Sequence, residues 1–240
     1  MSNGLLDSLR TAADGARPSG TRQRLLIGAG ALVVVAVAAV WLLAFSPVFG
    51  VRSVTVRGTH LLTAKQIEAA AHISHGTPLL RLDEAAITRR VEQLPEVGSA
   101  QVTTSFPSTV TITVTERVPV GYVKRGNGFV LIDHTGAQYR ATGTRPAKLP
   151  LFVVPSGADA RTSGRALATV AAALPARVRA KITSIQALNP QAITLLLKDQ
   201  RVVQWGSADR SAEKARVLVA LLPHAEQQID VTDPDQPFTR

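Results

Sequence analysis

The stretch LPEVGSAQVTTSFPSTVTITVTERVP, residues 94–119, decides the fold. Ala100, Val102, Thr104 and Phe106 fall on alternate positions, then Phe106-Pro107-Ser108 offers a turn. Val110, Ile112 and Val114 alternate on the way back, with Thr109, Thr111, Thr113 and Thr115 between them. Successive side chains of a strand point to opposite faces, so the pattern predicts a β-hairpin with one buried face and one wetted face. Arg117-Val118-Pro119 closes the unit, because proline cannot donate to a ladder.

Working back from the hairpin, Arg52–Arg57 alternates, with Val54 and Val56 on one face and Gly58 at its end: a short strand. Thr63-Ala64-Lys65-Gln66 reads as a capping box with Ile67, Ala70 and Ala71 at helical spacing behind it. Gly76-Thr77-Pro78 breaks that helix, and Asp83 can cap a second one carrying Leu80, Ile87, Val91 and Leu94, which Pro95 ends. The predicted order is βααββ, with Val54, Val56, Ile87, Val91, Val110 and Ile112 in the core.

Further back, Leu25–Phe45 is free of charge, and nothing in it is more polar than glycine. As a helix it measures about 32 Å, the thickness of a bilayer's hydrocarbon core of ~30 Å. Its Leu, Ile, Val and Phe side chains favour insertion by roughly 4–7 kcal/mol. Trp41 and Phe45 suit the far interface, and Ser46-Pro47 stops the helix. A cleaved leader would have a shorter apolar run and a small-x-small cleavage site, and Ala44-Phe45-Ser46-Pro47 does not supply one. The run is read as a retained transmembrane anchor. Arg17, Arg22 and Arg24 crowd its N-terminal flank, so the positive-inside rule keeps residues 1–24 in the cytoplasm and puts the chain after about residue 46 outside.

The formal net charge of +10 is unevenly spread. Between Glu116 and Lys181 basic side chains far outnumber Glu116, Asp133 and Asp159, making a basic belt that reads first as a solvated face and second as suited to an anionic partner such as lipid headgroups or acidic wall polymers. Nucleic acid is disfavoured, because aromatics are only 4% and no basic run is interleaved with them. There is no cysteine, hence no disulfide and no thiolate chemistry. His72 and His75 are spaced for two metal ligands, but no third ligand has matching spacing, and a surface pair is the better reading. No G-x-S-x-G, S-x-x-K, H-E-x-x-H or P-loop pattern occurs, so no catalytic residue, metal, cofactor or small-molecule substrate is expected.

Residues 120–233 read as a second, mixed α/β region. Phe129–Ile132 with Asp133-His134-Thr135-Gly136 suggests a strand and turn, and Gly121–Gly128 a hairpin loop. Leu149–Leu151 is an extended connector, Ala166–Leu174 a helix, and Ile193–Leu197 with Val202–Trp205 a hairpin. Ser211–Leu222 is an amphipathic helix, and Ile229-Asp230-Val231 a last short strand before Pro234 and Pro237. Those prolines are expected to leave this strand as an open sheet edge, the alternative being that the strand is internal and a partner docks elsewhere. Ile229, Asp230, Val231 and Thr232, with Leu218 and Leu222 on the helix beside them, are the candidate partner-binding residues, through addition of an incoming strand.

Five motifs then carry a resemblance: V-x-V-x-G at Val54–Gly58, G-x-P-L at Gly76–Leu79, L-P-x-V-x-x-A-x-V at Leu94–Val102, F-P at Phe106–Pro107, and V-x-E-R-x-P at Val114–Pro119. In this order behind one apolar span they resemble the POTRA-containing FtsQ/DivIB division family. Trp205-Gly206-Ser207 with Lys214, and Ile229–Pro234, are similar to the β domain of its actinobacterial members. The resemblance implies an α+β chain: a cytoplasmic tail 1–24, a transmembrane helix 25–45, a POTRA-type domain 46–119, a β domain 120–233 and a tail 234–240. It implies a non-catalytic scaffold at the division septum of the cell membrane. Its expected partners are FtsB/FtsL-like (or DivIC-type) bitopic proteins and the septal wall synthases. Glu116 and Arg117 are expected as a local charge pair or hydrogen-bond anchors.

Overall fold

The structure is a computed structural model that describes residues 20–45, 49–224 and 227–239, with side chains of the first helix described at 27–38, 40 and 41. That helix, α1, runs Gly20–Phe45. Among the described residues no helix is long and apolar enough to cross a membrane. The expected span Leu25–Phe45 extends past the described side chains at both ends, and the expected stop at Ser46-Pro47 lies outside the described residues, as does most of the 1–24 tail. Within the described part, Ile27, Leu32, Val33, Val34, Val35, Val37, Val40 and Trp41 are all solvent-exposed.

Strand β1 (Ser53–Arg57), helix α2 (Ala64–Ala71), a 3-10 turn (Leu79–Arg81), helix α3 (Glu84–Glu92) and strands β2 (Val97–Ser105) and β3 (Thr109–Glu116) follow in that order. The strands form a three-stranded sheet, β1-β3-β2. The expected caps are both made. Thr63 N–H donates to Gln66 Oε1 at 2.8 Å while Gln66 N–H donates to Thr63 Oγ1 at 3.4 Å, and Ala86 N–H donates to Asp83 Oδ1 at 2.8 Å. Gly58 sits at φ +82°, and a Cβ there would run into the Val114 carbonyl, so only glycine fits.

Of the expected core, Ile87, Val91, Val110 and Ile112 are buried, whereas Val54 and Val56 are only half-buried. Leu80 is a correction. It is exposed, and its neighbour Leu79 is buried instead. The 3-10 turn and the extended Leu82 separate residues 79–81 from α3, so the 3.6-residue phase does not carry across. Phe106, beyond the end of β2, is exposed in the turn, its ring edge-on to Phe49.

A nine-stranded sheet follows. In chain order its elements are β4 (Pro119–Arg125), β5 (Gly128–Asp133), β6 (Gln138–Thr142), β7 (Leu151–Val153), α4 (Ala160–Ala173), α5 (Ala176–Arg179), β8 (Ile182–Asn189), β9 (Ala192–Leu197), β10 (Val202–Gly206), α6 (Ser211–Leu221), β11 (Gln228–Asp230) and β12 (Phe238–Thr239). The spatial order is β12-β11-β10-β9-β8-β7-β4-β5-β6. β10 and β11 pair in parallel, as do β7 with β8 and β4 with β7; helical crossovers join the first two of these pairs. One apolar core, including Phe152, Leu167, Leu174, Ile185, Leu195, Trp205 and Leu218, lies beneath.

The 193–205 hairpin and α6 match expectation. Gly121–Arg125 is strand rather than loop, Leu151 begins a strand rather than a connector, and the helix expected from Ala166 begins at Ala160. The described residues divide into two compact units, one drawn from those that fall within 1–55, 72–87 and 102–112, the other from those within 56–71, 88–101 and 113–240.

Candidate functional site

At the C-terminus, β11 is not the sheet edge that the sequence suggested. It is flanked by β10 on one side and β12 on the other, with Ile229 opposite Thr239 and Asp230 opposite Phe238. Pro234 and Pro237 do not prevent pairing, because both fall where the chain has no ladder bond to make. The reversal between the two strands is built from short carboxylate turns. Thr232 N–H donates to Asp230 Oδ1 at 2.8 Å, and Asp235 N–H donates to Asp233 Oδ1 at 3.1 Å.

Arg210, in the left-handed region at φ 53°, clamps that reversal. Its Nη1 and Nη2 donate to the two Asp235 oxygens at 2.9 and 3.1 Å, and its Nε donates to Glu213 Oε2 at 2.7 Å. A planar fork on a carboxylate is the arrangement arginine makes best. These bonds hold the guanidinium far above its ordinary pKa and the Asp235 carboxyl below its own.

The expected partner-binding residues therefore divide by burial. Ile229, Val231 and Leu218 are buried in the core, Leu222 and Asp230 are half-buried, and Thr232 is exposed. The outer face of the edge belongs to β12, which sequence reasoning missed. The visible signal was Phe238-Thr239 after a run of Asp and Pro turn residues.

Behind this edge, the Trp205-Gly206-Ser207…Lys214 motif fastens the crossover between β10 and β11. Lys214 is buried on the inner face of α6, beside Ser211, Ala215 and Leu218. Its Nζ donates to the carbonyls of Trp205 and Ser207, both at 3.0 Å. Burial pushes its pKa down, and the two carbonyls and nearby aspartates compensate the charge. Trp205 Nε1 donates to Ser211 Oγ at 3.2 Å, and that hydroxyl donates on to Ala208 O at 2.7 Å.

The Glu-Arg pair at the end of β3 is two anchors rather than one ion pair. Glu116 accepts the backbone N–H groups of His60, Leu61 and Leu62 at 2.8–2.9 Å. Desolvation pushes its carboxyl up, but those three bonds outweigh it and the pKa is lowered. Arg117 Nη1 instead meets Asp133, while its Nε donates to Pro95 O at 3.0 Å. Asp133 is 1% exposed, and its other oxygen accepts Thr135 Oγ1–H at 2.6 Å, Thr135 N–H at 2.9 Å and Ala137 N–H at 3.0 Å. Burial raises its pKa, the Thr135 and Arg117 bonds lower it more, and it ends below its ordinary value. Tyr139, held at about 12 by burial and the Asp133 charge, donates to Arg117 O at 3.4 Å.

Among the described residues no group of three His, Cys, Asp or Glu side chains is placed to hold a metal. The arrangement is one of strand ends, clamped turns and anchors.

Residues 49–117 match the POTRA domain, FtsQ-type, and residues 121–234 match the Cell division protein FtsQ/DivIB, C-terminal family. The chain is 34% identical to cell division protein FtsQ of Streptomyces venezuelae over 98% of its own length and 93% of that protein's. It is 38% identical to FtsQ of Mycolicibacterium smegmatis over 90% of its length, spanning 65% of that longer relative. The solved extracytoplasmic domain of DivIB from Geobacillus stearothermophilus covers 47% of the chain at 19% identity, with a TM-score of 0.35, too slight a likeness to carry an argument. With both family models matched in tandem and a relative of nearly equal length, the chain belongs to the FtsQ/DivIB family of bacterial cell division proteins.

Proposed function

We propose that the protein is a non-catalytic scaffold of the division machinery, held in the cell membrane by Leu25–Phe45. Residues 1–24 lie in the cytoplasm and the chain beyond about residue 46 outside, concentrated at the septum. It forms a POTRA-type domain over 46–119 and a β domain over 120–233. Support for the anchor comes from the exposed apolar side chains of α1, which in water would be an unsheltered cost on every face of the helix. A reporter fused at Arg240 is expected to be active only outside the cytoplasm; cytoplasmic activity would overturn this topology.

The observation that carries the scaffold reading is the end of the nine-stranded sheet. β12 pairs with β11 on one side and with no described strand on the other. An incoming strand from an FtsB/FtsL-like bitopic partner adds at this end of the sheet, and its attachment links this protein to the septal wall synthases. Ile229, Val231 and Leu218 support the edge from inside, while Asp230, Thr232 and Leu222 flank it. Pull-down of the FtsB-like partner by the detergent-solubilised protein tests this, alongside a truncation ending at Gln236 that removes β12 and leaves β11. Loss of partner by a folded truncation is expected. Equal capture would eliminate the C-terminal edge.

A further inference from the structure

Beside the β4-β5-β6 end of the sheet, far along the strand order from β12, lies a hollow of about 720 Å³. Val123, Ile132 and Val154 give it apolar walls, and Arg125, Arg161 and Arg165 stand around it. No carboxylate lines it, and none of the three arginines is ion-paired among the described residues. The charge imbalance is therefore local as well as global. Of the three acids in the basic belt, Glu116 is committed to backbone N–H groups and Asp133 to Arg117 and its own turn. Asp159 precedes α4 without capping it, and the helix's positive end opens at Ala160, in the wall of the same hollow. Gly136, at φ +84°, fits closely against the Arg165 backbone: a Cβ there would stand 3.2 Å from its Cα. The loop from Asp133 thus seats Arg165 at the rim.

We propose that this hollow docks an acidic peptide segment of a partner protein, which inserts one apolar side chain between Val123, Ile132 and Val154 while its carboxylates meet Arg125, Arg161 and Arg165. The apolar walls favour a peptide over an anionic wall polymer, which has charge for the arginines but nothing for the valines and isoleucine. Arginine forks on carboxylates supply orientation, and burial of a leucine-sized side chain is worth about tenfold or more in affinity.

The test uses the full-length protein in detergent and fluorescence anisotropy of labelled heptapeptides. One has six glutamates around a central leucine, the other six around a central glycine, and inorganic polyphosphate serves as competitor. The leucine peptide is expected to bind at least about tenfold more tightly than the glycine peptide. R161Q/R165Q should weaken it by about tenfold or more, and Arg177→Gln, on α5 outside the hollow, should not. Gly164→Met is the sharper variant. It lies in the wall and within α4, keeps every charge, favours the helix, and fills the space. It should weaken the leucine peptide by a similar factor with a melting temperature no lower than that of the unsubstituted protein. Absence of binding, equal affinity for the glycine peptide, displacement by polyphosphate as effective as by unlabelled leucine peptide, or undiminished binding by a folded Gly164→Met protein would each overturn the proposal.

Discussion

Asp133→Asn is the most informative single perturbation, because it keeps the shape of the side chain while removing its charge and the oxygen that accepts from Arg117. The side chain is 1% exposed and Arg117, its partner, 21%. Breaking a buried pair from one side costs about 3–5 kcal/mol, because the charge left behind is uncompensated. Here Arg117 retains its bond to Pro95 O and some water, and asparagine keeps an oxygen for the N–H groups of Thr135 and Ala137. The expected loss is therefore nearer 2–3 kcal/mol, against a domain stability of roughly 5–15.

Urea denaturation at neutral pH, followed by Trp205 fluorescence in a Trp41→Phe background, measures it. The pH dependence has a definite sign. The folded Asp133 carboxyl titrates below its ordinary 3.8, so its contribution is fully present above that value and disappears as pH falls through the lowered folded value. The gap between wild type and variant should accordingly close below pH 3.8. A loss under about 0.5 kcal/mol at neutral pH, or a gap that stays constant through the acid range, would refute the account of Asp133 as a buried charged anchor.

Two further substitutions probe buried polar groups of opposite standing. Lys214→Met adds apolar surface yet leaves the Trp205 and Ser207 carbonyls without their donor, so it should destabilise by about 1–3 kcal/mol in the same urea assay. Ser163→Ala should be neutral or stabilising by thermal melting, because the Ser163 hydroxyl is buried and has no hydrogen-bond partner among the described residues to lose.

Much of the fold is local chemistry and could be read from the chain. The β2–β3 hairpin follows from strict alternation between Val102 and Val114. The caps at Thr63 and Asp83 follow from side chains that satisfy N–H groups within three residues. The 193–205 hairpin and α6 follow from their own periodicities, and the family from five short motifs in order.

Other features depend on residues far apart. Leu79 rather than Leu80 is buried because a 3-10 turn resets the helical phase, and no residue spacing announces that reset. The edge passes from β11 to β12 through a reversal that Arg210, 25 residues from Asp235 in sequence, bonds only once the chain has folded. Lys214 looks like one more surface charge until the carbonyls at the end of β10 close over it. Asp133 and Arg117 are 16 residues apart, and neither carries any mark of the other. Periodicity reports which face of an element is apolar. What meets that face, and which strand is left at the edge, is decided by long-range pairing whose hydrogen bonds exist only once the chain has folded.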